Sequence, residues 1–186
     1  MPEPITATTP RPLFMPDGQH WHDHGRAVYH LHRSGDVDLS TRVDVYSQLR
    51  HGGGTPMVTL QAQAGTAVFA LRLLPVQARG LADQLRAAAR PGNAMVPRRP
   101  VHQADEAGAI DLTSHVEVER AQTRAGAPLV GLLVLCGAAV CPLRTDAAEA
   151  VRLADMLQRA AATCVKVTEA LVQLHGRGRA PAARRA

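Results

Sequence analysis

The chain carries two copies of one unit, and this duplication limits the fold more than any other feature. Residues 35–89 and 108–161 correspond, one residue apart in length. Gly54 to Ala89 lies on Gly126 to Ala161 without a gap. Pro56/Pro128, Val58/Val130, Leu60/Leu132, Gly65/Gly137, Val68/Val140, Leu71/Leu143 and Arg72/Arg144 coincide. So do Ala78/Ala150, Leu81/Leu153, Ala82/Ala154, Asp83/Asp155, Leu85/Leu157, Ala88/Ala160 and Ala89/Ala161. Upstream, GDVDLSTRVDV (35–45) lies on GAIDLTSHVEV (108–118). A unit written twice predicts a pseudo-twofold domain.

Each copy begins with a period of two. Val37, Leu39, Val43 and Val45 alternate with Asp38, Ser40, Arg42 and Asp44, as in a strand with one wet face. Val58, Leu60 and Ala62 then point in, with Thr59, Gln61 and Gln63 out, and Gly65 turns the chain into a returning strand over 67–73. Pro75 opens a helix at the position where a missing N–H costs nothing. Its buried stripe is Ala78, Leu81, Ala82, Leu85 and Ala88/Ala89. Copy two repeats the order, with strands at 110–119, a hairpin around Gly137, and a helix that Asp146 and Glu149 start as a capping box. Its stripe runs on through Cys164, Leu171 and Leu174, so the second helix is longer.

The copies differ on one strand. Thr59, Gln61 and Gln63 become Gly131, Leu133 and Leu135. A strand apolar on both sides is buried on both, either under the long helix or against another subunit. Leu133 and Leu135 are therefore the candidate self-association residues.

Outside the copies, residues 1–18 read as a flexible leader, 91–100 as a connector, and 175–186 as a basic disordered tail. The folded domain is expected over 19–174, with repeat one at 28–90 and repeat two at 101–174. Only 3% of residues are aromatic, so Leu, Val and Ala must build the core. No segment is long and apolar enough to span a membrane, and the N-terminus does not read as a secretory signal. Three cysteines make no disulfide framework, and the expected compartment is the cytoplasm.

The formal charge is +5, and Lys166 is the only lysine. Arg98 and Arg99 in the connector and Arg177, Arg179, Arg184 and Arg185 in the tail suit phosphate contact. A GC-rich coding bias is the favoured cause of the Arg/Lys ratio, and the net positive sign still permits a nucleic-acid partner. His20, His22 and His24 alternate and would share one side of an extended segment, where imidazoles could hold Zn. Cys136, Cys141 and Cys164 fit apolar core positions. The triple glycine at 52–54 precedes a strand rather than a helix, so phosphate-loop logic does not apply. No nucleophile, base and orienter converge on one place, and the chain reads as a non-enzyme.

The order of three or four strands and then a helix, twice, resembles the repeat of the Whirly and Pur families. That resemblance implies single-stranded nucleic acid bound on the sheets. Trp21, His24, His30, Ser34, Pro75, Ala78, Leu81 and Ala82 also resemble a small actinobacterial domain family of unknown function. In that family a Trp-Cys start precedes strands and a Pro-x-x-Ala-x-x-Leu-Ala helix, and here His22 replaces the cysteine. The expected fold is α+β: two tandem repeats of antiparallel strands followed by a helix. The expected function is a regulatory or accessory protein contacting DNA or RNA through arginine. The alternatives are a self-associating protein–protein adaptor and a metal-binding module at the N-terminal histidines.

Overall fold

Alternating stretches become strands and the two alanine- and leucine-striped stretches become helices in the computed structural model, which describes residues 19–50, 54–92, 99–105 and 107–177 (for 19, 20, 50 and 175–177 the backbone only). In chain order the elements are β1 Gln19–Asp23, β2 Val28–Leu31, β3 Val37–Arg50, β4 Met57–Ala64, β5 Ala67–Leu73 and α1 Pro75–Ala89. There follow β6 Val101–Ala104, β7 Ile110–Gln122, β8 Pro128–Cys136, β9 Ala139–Thr145 and α2 Ala147–Arg177. The fold is α+β. One antiparallel sheet, sheet A, has β3 paired to β4 and β4 to β5, with β1 and β2 following one another along the free edge of β3. The other, sheet B, runs β6-β7-β8-β9.

The strand registers of the two sheets match at corresponding residues. Val28 stands opposite Val43 as Val101 stands opposite Val116, and a bulge follows Tyr29 as one follows His102. Thr41 faces Ala64 as Ser114 faces Cys136, and Val58 faces Leu73 as Val130 faces Thr145. The turn glycines match too: Gly65 N–H donates to Ser40 O and Gly137 N–H to Thr113 O. Contacts between the units pair up in the same way. The Arg144 N–H donates to His30 Nδ1 (2.9 Å), and the Arg72 N–H donates to Gln103 Oε1 (3.3 Å). His30 and Gln103 are corresponding residues, as are Arg72 and Arg144. So β2 meets β9, and β6 meets β5.

Both sheets turn their valine and leucine faces toward the helices, and α1 packs along α2. The result is one continuous core. It includes Val43, Val45, Leu60 and Leu71 from sheet A, Val116, Val118, Leu132 and Leu143 from sheet B, and Leu81, Leu85, Leu153 and Leu157 from the helices. Burying each such side chain contributes roughly 1.5–3 kcal/mol. Gln77 Oε1 accepts from the Leu74 N–H at the start of α1 (2.7 Å). Asp146 caps α2 by accepting from the Glu149 N–H (2.8 Å). The Glu149 carboxylate does not close a capping box, because Arg152 and Arg26 engage it.

Several expectations change. Sheet A has five strands, because the histidine-rich segment pairs as β1. Val37, Leu39, Ile110 and Leu112 are exposed rather than in the core. They precede Thr41 and Ser114, the first residues paired to the next strand, so only one strand flanks them. α2 has 31 residues against 15 in α1, yet among its described side chains the last fully buried one is Cys164. Residues 175–177, assigned to the tail, belong to this helix. The leader 1–18 lies outside the described residues. Among those described, no helix is long and apolar enough to cross a membrane.

Candidate functional site

The outer face of sheet A, turned away from the helices, concentrates the polar chemistry of the chain. Registry places its side chains in rows. Trp21 stands beside Gln48 and Met57; Asp23 beside Tyr46, Thr59 and Arg72; Asp44 beside Gln61; Arg42 beside Gln63. Alternation predicts this row-building, since every second residue of a strand shares a face. Alternation also predicts that the face is wet, and here the structure differs. Asp44, Thr59 and Gln61 are buried, as are Tyr46 and Gln48. They occupy the middle strands of a five-stranded sheet, where long neighbours on both sides cover them. Trp21 packs edge-on against Tyr46 at 6.0 Å.

This burial has electrostatic consequences. The Asp44 carboxyl is pushed up to about 6, because desolvation penalises its charge more than Arg42 stabilises it. Arg42 Nε lies 3.2 Å from Asp44 Oδ2. The angle of that contact leaves Arg42 Nε and both Asp44 oxygens without a directed hydrogen bond. Trp21 Nε1 and Gln63 Oε1 are likewise buried and unpartnered. Two donors and three acceptors on one sheet face thus have their hydrogen-bonding capacity unmet. Each such group costs about 1–3 kcal/mol.

On the inner side of the same edge, His24 Nε2 is bonded to Ser47 Oγ, and Ser47 stands against the Cys164 thiol. Ser47 and Cys164 are wholly buried. Burial holds His24 down to about 4, helped by His22 and Arg159. Burial also raises the Cys164 thiol to about 11, so it is a poor nucleophile. The chain of His24, Ser47 and Cys164 ties β1 and β3 to α2, and Arg159 adds a bond to the His24 carbonyl (2.7 Å).

Of the expected metal residues, His22 and His24 come together with ring centres 5.1 Å apart, while the His20 side chain lies outside the described residues. Arg159 beside the pair opposes a cation. Of the expected phosphate-contacting residues, Arg99 is exposed. Arg98, Arg179, Arg184 and Arg185 lie outside the described residues, as does the Arg177 side chain. Two arginines that sequence reasoning missed are brought together by the turns. The Arg124 N–H donates to Arg33 O (2.9 Å), and both residues are exposed. No local signal joins positions so far apart in sequence. Leu133 and Leu135 are half-buried on the outer face of sheet B, beside Pro142 and Val140. Cys136, Cys141 and Cys164 are free thiols.

Comparison with protein-family models, with curated proteins and with solved structures finds no match for this chain.

Proposed function

We propose that the protein is a non-enzymatic accessory protein that binds single-stranded nucleic acid across the outer face of sheet A. The carrying observation is the gathering of Trp21, Arg42, Gln48, Gln61, Gln63 and Arg72 on one face that holds unmet donors and acceptors. Unpaired bases offer π-faces for Trp21 to stack on and hydrogen-bonding edges for the half-buried Arg42, Gln63 and Arg72. Arg33 and Arg124, with Arg98, Arg99, Arg177, Arg179, Arg184 and Arg185, supply phosphate contacts that carry no sequence information. The two units are related by a pseudo-twofold axis, supported by the matched registers and the His30–Arg144 and Gln103–Arg72 contacts. The free thiols suit a reducing cytoplasm.

Trp21 is the only tryptophan, so its fluorescence tests the reading directly. Titration with a single-stranded oligonucleotide should quench it. Affinity should fall at least tenfold between about 50 and 200 mM salt. Trp21→Ala should weaken binding, read by anisotropy of a labelled strand, by about tenfold. Removing 176–186 should shallow the salt dependence. Neither quenching nor an anisotropy change at low salt would overturn the reading.

A second reading rests on sheet B. Leu133, Leu135, Pro142 and Val140 form an apolar patch on its outer face, and Val140 is 50% exposed. Self-association there predicts an oligomer in sedimentation that Leu133→Gln with Leu135→Gln dissociates. A wild-type protein that stays monomeric at high concentration would rule it out.

A further inference from the structure

We infer that the outer face of sheet B holds a binding site for a divalent transition-metal ion, formed by the imidazoles of His102 and His115 with Glu117 behind them. His102 on β6 stands directly opposite His115 on β7. Their ring centres are 5.2 Å apart with the planes tilted by 56°. A metal–nitrogen bond of about 2.1 Å puts each ring centre about 3 Å from the ion, so two rings sharing one ion at a tetrahedral angle stand about 5 Å apart. The observed spacing is compatible with a shared ion, as it is for the other two close histidine pairs, so the surroundings must decide.

The hydrogen bonding points the same way. The Nδ1 atoms of both His102 and His115 are buried and have no partner. His115 Nε2 lies 3.3 Å from Glu117 Oε1. In a neutral imidazole one nitrogen donates and the other carries a lone pair. Glu117 Oε1 is therefore placed to accept from the His115 Nε2–H, which leaves Nδ1 as the free ligand, the carboxylate–histidine–metal arrangement. Among the described residues no group of three His, Cys, Asp or Glu side chains is set for an ion. The site is accordingly a two-imidazole chelate, with Glu117 as outer support and water completing the coordination. Imidazole donors favour Cu(II), Zn(II) and Ni(II).

The surroundings separate this pair from the other close histidines. His24 has Arg159 against it, and its Nε2 is engaged by Ser47. His30 accepts the Arg144 N–H through Nδ1. Around His102 and His115 the charged residues on the same face of β7 are Glu117 and Glu119, and both attract a cation. In unit one the corresponding positions are Tyr29, Arg42 and Asp44. There the Arg42 cation stands where unit two has His115, so unit one has no imidazole pair.

The test is titration of the untagged full chain with Cu(II) and, separately, Zn(II), followed by calorimetry. The expected result is one ion per chain. His102→Gln and His115→Gln should each abolish saturable binding, and Glu117→Gln should weaken it by about 10–100-fold. His22→Gln should leave it unchanged. Paramagnetic Cu(II) added to the wild-type protein should broaden the imidazole resonances of His102 and His115 first, a readout that needs no variant to fold. No saturable binding of either ion, loss on His22→Gln, or broadening confined to His22 and His24 would each overturn the site.

Discussion

The two sheets share one register and carry opposite outer faces. Sheet A buries a polar grid of Asp44, Thr59 and Gln61, with unmet donors and acceptors on Trp21, Arg42, Asp44 and Gln63. Sheet B presents Leu133, Leu135 and Val140 beside a histidine pair. Their inner faces are alike, because both must fill the same leucine–valine–alanine core. The two sheets are thus alike on the side that folds and unlike on the side that faces outward.

The strongest way to break this comparison is to ask whether the inner faces are one core. Leu60→Ala and Leu132→Ala strike corresponding, fully buried positions. Each should cost about 2–5 kcal/mol and shift a single cooperative urea transition followed by circular dichroism. Two separable transitions would mean that the units fold independently.

Acid should act on unit one through His24. Its folded value is lowered to about 4 from an ordinary 6.5. Stability is thus full above pH 6.5 and falls as the pH drops toward 4, by about 3 kcal/mol in all. His24→Gln, which keeps a partner for Ser47, should remove most of that loss in pH-dependent urea melts. An unchanged slope would show that His24 is not held neutral.

Asp44 pulls the other way in the same window. Its folded value is raised to about 6 from 3.8, so the folded state holds the proton more tightly. Stability contributed by this group is present below pH 3.8 and is lost as the pH rises through 6. Asp44→Asn should raise stability at pH 7 by about 2 kcal/mol, allowing for the Arg42 contact it removes. A destabilised variant at pH 7 would mean the Arg42 pair outweighs the burial of the carboxylate.

The smallest effect sharpens the likeness of the two units. Gly65 and Gly137 have φ of +58° and +60°, with open space where a methyl group would stand. Gly65→Ala and Gly137→Ala should each cost about 1 kcal/mol, from backbone strain alone. Unequal losses, measured by thermal melts, would show that one turn carries a contact the other lacks.

Much of the fold was legible because it follows from local periods. The hairpins at Gly65 and Gly137, the Pro75 helix start and the stripe Ala78, Leu81, Ala82 and Leu85 all depend on neighbours within a few residues. The candidate sites were less legible. The wet reading of Asp44, Thr59 and Gln61 failed because alternation reports which face a side chain is on, not what surrounds that face. The alternation of His20, His22 and His24 suggests an extended segment but not its partner, and only the pairing of β1 with β3 brings Trp21 beside Gln48. His102 and His115 lie on strands whose register the bulge after His102 sets.

By itself the sequence determined that there are two like units, which residues alternate, and that leucine, valine and alanine must form the core. Covalent neighbours impose those periods, and a residue's side of a strand or helix follows from its position alone. Only the tertiary structure decided that Asp44 is buried, that Arg33 meets Arg124, and that His102 faces His115. Each of those depends on contacts between strands or turns distant in the chain, made when the two units close on one core.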